Sequence, residues 1–221
     1  VETVGTVVGG KIVSRSCQLD VFAANGNAAQ RGCADAAAGC RGTVGGMKHP
    51  VAIGIDLGGT NLRTAIIDLD GLILARSDQP TLADRGFDAV IADIVASVDA
   101  LIGGADVDRG SIAGVGLCTP GPLDLREGRI IHAANLPGWT NVPIRNALKE
   151  KLHLPVALEN DGNAAALGEY RAGAGRGSDP LVMLTLGTGV GAGVILDGRI
   201  LHGHFDNAAE LGHMIVVVDG L

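Results

Sequence analysis

Residues 51–68 read VAIGIDLGGTNLRTAIID: an apolar run, a turn of glycines with a threonine, and a second run in which apolar residues recur. Apolar runs of this length bounded by glycine are strands, and a short glycine turn between two of them makes a hairpin. Closing such a turn needs one glycine, or two. Asp56 at the entrance and Thr60 and Asn61 at the exit exceed that need. LDG at 69–71 is a further turn, leading into LILARSD at 72–78. Two hairpins in succession predict a three-stranded antiparallel meander.

Beyond the meander the periodicity changes. FDAVIADIVASVDAL, residues 87–101, has apolar residues at 87, 90, 91, 94, 95, 98 and 101, the spacing of one helix face. SIAGVGLC at 111–118 reads as a strand entering the turn TPGP. PIRNALKEKL at 143–152 reads as a helix with Pro143 at its first position, where its missing N–H costs nothing. PVALEN is then a strand and DGNAAALGEYRAG a helix, before the glycine-rich break GAGRGSDP at 173–180. After that break the opening returns. VMLTLGTGVGAGVILD at 182–197 aligns with IGIDLGGTNLRTAIID at 53–68, and DGRIL at 197–201 with DGLIL at 70–74. Such self-similarity predicts two lobes built on one unit.

The repeat gives the turn a chemical reading. Glycine lets backbone N–H groups approach an anion with no Cβ in the way, and threonine adds a hydroxyl donor. Two such turns could hold a nucleotide's phosphates from both sides. The candidates are Gly58, Gly59, Thr60 and Asn61 in the first, with Asp56 beside them, and Gly187, Thr188, Gly189 and Gly191 in the second. Neither turn is a P-loop, since no GK[ST] follows, nor a dinucleotide fingerprint, since GGTNLR runs into a strand. Alone, either turn reads as an ordinary glycine hairpin.

Composition narrows the classes. The 221 residues are 47% hydrophobic with 35 glycines, 2% aromatic, and a net charge of −7. Nucleic-acid binding calls for a basic face and stacking aromatics, which this balance lacks. No apolar run is long enough for a membrane span, and no secretory signal opens the chain. The expectation is a cytoplasmic protein. Residues 1–46 differ from the rest: small residues dominate without sustained periodicity, and the first methionine is Met47. They are read as a low-complexity leader, disordered or non-native, with a small regulatory segment as the alternative. Three of the four cysteines, Cys17, Cys33 and Cys40, fall in this leader and only Cys118 beyond it, a spacing that fits neither a zinc knuckle nor a disulfide framework.

Together, IDLGGTNLR, TPGPLD, HAANLPGW, LENDGNAAALGE, LGTGVGAGVILDG and AAELGH resemble, in order, the blocks of the ROK family of sugar kinases and sugar-responsive repressors, within the actin-like ATPase superfamily. The resemblance spans about residues 51–217. It implies an α/β, ribonuclease H-like lobe over 47–178, with a meander plus parallel strands and helices, and the beginning of a second lobe over 179–221. It implies ATP-dependent phosphorylation of a hexose, foremost glucose to glucose 6-phosphate, with N-acetylhexosamine or fructose as alternative acceptors and polyphosphate as an alternative donor. A sugar-sensing repressor and an inactive sugar-binding fragment are the other classes. Family kinases are often homodimers.

Phosphoryl transfer to a hydroxyl needs a group to accept its proton. Asp161 matches the family's catalytic aspartate; the other reading of an aspartate at a strand-to-helix junction is an N-cap. The resemblance implies sugar contacts from Gly121, Asn135, Asn160, Asp161, Glu210 and His213. Asp56, unable to bind phosphate directly, would act through a Mg²⁺-bound water. Trp139, the only tryptophan, reads as a packing anchor. In the family the histidine of ELGH can also ligate structural zinc with three cysteines that follow; the chain stops at Leu221, so His213 is expected to be a half-site, with zinc and full turnover belonging to a longer chain. Two residues depart from the pattern: Ala209 replaces a glycine, and Asp206 occupies a small or apolar stretch.

Overall fold

The computed structural model describes residues 50–105, 107–187 and 189–215, together with two short strands ahead of them, β1 (Gly5–Val8) and β2 (Lys11–Ser14), paired antiparallel. The rest of the leader, its three cysteines and Thr188 lie outside the described residues.

The meander is present. β3 (Val51–Leu57), β4 (Asn61–Asp68) and β5 (Ile73–Pro80) pair antiparallel. β3 is buried along its length, as a strand covered on both faces must be, whereas β5 alternates half-buried and exposed as the sheet edge. β6 (Ile112–Thr119) runs parallel to β3, and β10 (Val156–Asn160) parallel to β6, giving the order β10-β6-β3-β4-β5. A small sheet of β7 (Leu123–Asp124), β8 (Arg129–His132) and β9 (Thr140–Val142) was not legible in the sequence. The second hairpin, β11 (Leu181–Leu186) with β12 (Val190–Leu196), continues to β13 (Arg199–Ile200), so the repeat is structural as well as sequential.

Helix α1 (Phe87–Gly104) buries Val90, Ile91, Ile94 and Val98, the face read from its spacing. Helix α2 (Ile144–Leu152) starts one residue later than expected, with Pro143 in the cap position, and ends on left-handed His153 at φ 55°. Helix α3 (Asp161–Arg171) follows β10 directly. The main core joins the inner sheet to α1 and α2 and includes Trp139, 2% exposed, which packs edge-on against Phe87 at 5.2 Å. Burying side chains of this size supplies roughly 1.5–3 kcal/mol each. A second core joins Cys118 and the alanines of α3 to Met183 and Ile195 of the second hairpin. The alanines let the hairpin come close. A Cβ on Gly193 would stand 2.7 Å from the carbonyl of Gly162, and one on Gly162 would overlap the Ala192 carbonyl. No helix among the described residues is long and apolar enough to cross a membrane.

Candidate active site

The three parallel strands end together, which is where ligands gather in open α/β sheets. In register, Asp56 of β3 stands beside Cys118 of β6, and Cys118 beside Glu159 of β10; one step on, Thr119 stands beside Asn160. The segments that leave these ends carry Gly58, Gly59 and Thr60 after β3, Gly121 after β6, and Asp161 after β10.

Asn160 is the N-cap of α3. Its Oδ1 accepts from the N–H groups of Gly162 at 2.9 Å and Asn163 at 3.2 Å. The capping alternative for Asp161 is therefore filled one residue earlier, leaving Asp161 at the first helical position. The Asn160 amide nitrogen remains directed at the TPGP turn, 3.6 Å from where a Cβ on Gly121 would lie. Asp161 accepts from the Gly162 N–H at 2.9 Å. Burial raises its carboxyl above the ordinary range, against that hydrogen bond, and the charges of Asp56 and Glu210 push the same way.

Asp56 is 5% exposed. Its Oδ2 accepts from Arg63 at 3.1 Å and its Oδ1 from the Cys118 thiol at 3.7 Å. Burial nevertheless outweighs the guanidinium and raises its carboxyl. Arg63 and Cys118 thus take one acceptor position on each oxygen.

In the first glycine turn, the Gly58 N–H donates to Asn61 at 2.9 Å, and the Thr81 hydroxyl donates to the Gly58 carbonyl at 2.6 Å. Thr60 and Asn61 are exposed. Gly59 is pressed against the loop of HAANLPGW: a Cβ there would lie 2.7 Å from the Cβ of Asn135 and overlap its carbonyl. The glycine thus joins the first turn to Asn135. Gly187 and Gly189 form the exposed tip of the second hairpin, the Gly187 N–H donating to Gly189 at 3.0 Å, while Gly191 lies within β12 opposite Thr185.

Glu210 precedes and His213 ends the short helical turn Leu211–His213, their side chains 57% and 85% exposed and 3.8 Å apart. Gly212 between them has its Cα against Val190, which leaves no room for a side chain. No group of three or more His, Cys, Asp or Glu able to hold a metal occurs among the described residues.

Sequence reasoning missed several participants. Glu159, 2% exposed, accepts from the Asn160 N–H at 2.9 Å and from Asn163 Nδ2 at 3.1 Å, and pairs with His202 Nε2 at 2.7 Å. Asp206, flagged only as out of pattern, accepts from the Leu125 N–H at 3.1 Å, and Asn207 accepts from Leu123 at 3.3 Å. These two bonds tie segment 201–210 to the loop after TPGP.

The model of the ROK family matches residues 52–221. A glucokinase of Thermotoga maritima is 40% identical over 76% of this chain and 51% of its own length. The crystal structure of a ROK family glucokinase from Streptomyces griseus, in complex with glucose and AMPPNP, superposes with a TM-score of 0.67 at 37% identity, covering 77% of this chain and 52% of that one. A xylose repressor of Bacillus subtilis is 28% identical over 78% of this chain and 44% of its own. The chain spans about half the length of the curated relatives it matches.

Proposed function

The chain belongs to the ROK family, with the actin-like α/β fold of its kinases, and from that premise we propose that the protein it represents phosphorylates a hexose, glucose first, with ATP as the donor. Asp161 accepts the proton of the attacking sugar hydroxyl as its oxygen bonds to the γ-phosphorus; the bond to the β-phosphate oxygen breaks, and its electron pair leaves with ADP. Asn160, through its amide, and Asn135 orient the sugar beside Gly121, and Glu210 and His213 close the site from the second hairpin's side. The glycine turns at 58–61 and 187–191 receive the phosphates. Bound as its Mg²⁺ complex, ATP would have its phosphate charge spread by the metal, and Asp56, tied to Arg63 and Cys118, would address that complex through water.

The single observation that supports this most is the junction of β10 and α3. It carries a carboxylate pushed upward by burial, next to a capping asparagine whose amide is free to face Gly121. Burial makes this carboxylate a better proton acceptor than a surface aspartate. The test is ADP release over a hexose panel with the full natural polypeptide, alongside Asp161→Asn. Turnover with glucose that the variant abolishes is expected; turnover with no hexose overturns the reading. The likeness to a xylose repressor favours one second reading, sugar-dependent DNA binding, which sugar-responsive duplex binding without ADP release would establish.

A further inference from the structure

The kinase reading leaves one buried carboxylate unused. Glu159 is the penultimate residue of β10, immediately before Asn160 and Asp161. One of its oxygens, Oε1, takes both the Asn160 N–H and the Asn163 amide, so it braces the first turn of α3 from beneath. The other, Oε2, meets His202 Nε2 at 2.7 Å. His202 follows β13, in the second three-stranded sheet, and opens the segment that Asp206 and Asn207 fasten to Leu125 and Leu123 and that leads to Glu210. A single side chain therefore touches both the helix turn that presents the proposed base and the segment that brings the proposed sugar-binding glutamate.

We propose that Glu159 and His202 are a positioning pair: docking of His202 on Glu159 couples the seating of segment 201–210 to the orientation of Asn160 and Asp161, so that the base is aligned only when the second hairpin's segment is in place. Neither residue touches the reacting atoms. The proposal rests on the kinase reading for its catalytic consequence, though not for the contact itself. The charged groups that face His202 are Glu159 and Asp206, and the bond to Glu159 holds its imidazolium above the usual histidine range. Below that raised pKa the pair is charge-assisted, the stronger class of hydrogen bond.

Three variants in the full natural polypeptide test this. His202→Phe removes the donor, Glu159→Gln removes the charge, and His202→Gln restores an N–H near the Nε2 position. Misplacing a catalytic group by about an ångström costs roughly a hundredfold. His202→Phe and Glu159→Gln are accordingly expected to lower kcat by more than about tenfold, with KM for the sugar changing much less, and His202→Gln to recover most of the loss. Hydrogen exchange at the amides of Asn160, Gly162 and Asn163 should quicken in His202→Phe and revert in His202→Gln. Should His202→Phe fail to fold, the His202 titration followed by NMR decides the pairing, its pKa falling in Glu159→Gln. An active wild type whose kcat is indifferent to all three variants overturns the proposal. A wild type that phosphorylates no hexose sinks the kinase reading instead, and the exchange data then judge the coupling: unaltered protection of the α3 first turn overturns it as well.

Discussion

Gly59 and Asn135 meet backbone to backbone, with no space between them for a methyl group. The contact joins the turn after β3 to the loop before Trp139, so the proposed phosphate and sugar elements cannot shift independently. Gly59→Ala must push the Asn135 loop aside. Overpacking of this kind costs about 1–3 kcal/mol, and the displaced Asn135 should raise KM for the sugar more than it lowers kcat. Chemical denaturation and steady-state kinetics on the same variant check both; unchanged stability would show that the loop gives way freely.

Asp161→Asn keeps the shape and the bond from Gly162 while removing the base. Turnover should fall by at least roughly a hundredfold, the scale of losing a general base. Stability should move the other way. A carboxyl whose folded pKa lies above its unfolded value favours the folded state in its protonated form; that stabilisation is complete below the unfolded pKa and is lost as pH rises through the folded one. Above the folded pKa the ionised Asp161 is thus a burden that asparagine lifts, so there the variant should melt higher than the wild type. By the same shift, wild-type kcat/KM should lose its acid limb at a pH above the ordinary aspartate range. A profile flat down to pH 4 would contradict the assignment of Asp161 as the base.

Asn160 carries two tasks that different variants separate. Asn160→Ser keeps an oxygen for the Gly162 and Asn163 amides and loses only the side-chain amide. Asn160→Ala loses both. Serine and asparagine cap about equally, and a lost cap costs about 1 kcal/mol. Both variants should therefore bind sugar weakly, while only the alanine variant loses stability. Calorimetric sugar titration and thermal melts distinguish this from a purely structural asparagine, for which the serine variant would bind normally.

Ala209 adopts φ 65° where a glycine is the family expectation. A left-handed L-residue costs roughly 1–2 kcal/mol, and glycine returns about 0.4–1 kcal/mol of that through its freer unfolded chain. Ala209→Gly should consequently be neutral or slightly stabilising, whereas Ala209→Val, branched at Cβ, should lose at least about 1 kcal/mol. Urea midpoints of the pair suffice; a valine variant as stable as the parent would show that the segment adopts another backbone in solution.

The parts legible in the sequence were those that local rules govern. Glycine punctuation delimited β3, β4 and β5, a helical stripe gave α1, and the recurrence of the strand–glycine–strand pattern gave β11 and β12. The strands β7, β8 and β9 have two to four residues, too few for alternation to register, and they exist because the chain folds back on itself. Asp161 was legible as a candidate, but the division of labour with Asn160 was not, since a cap is decided by one residue of register. The Glu159–His202 contact joins residues 43 apart in the chain. No spacing rule reaches that far: Glu159 stood unremarked inside a quoted motif, and His202 belongs to no periodic stripe. Asp206 offered the one usable hint, a charge where small residues were expected, which the structure accounts for as an acceptor for Leu125.

Cys118 lies 1% exposed among Asp56, Asp161 and Glu159, and burial together with those negative charges raises its thiol well above the normal range. Reaction with an alkylating reagent requires the thiolate, so in the closed molecule this sulfur is silent twice over, shielded from the reagent and kept protonated. It becomes reactive only when the strands on either side part. The residue is thus a native clock for opening at the floor of the proposed active site: the rate at which its peptide gains an alkyl label, read by mass spectrometry, times how often the ends of β3, β6 and β10 separate, and a bound sugar that holds them together should slow it.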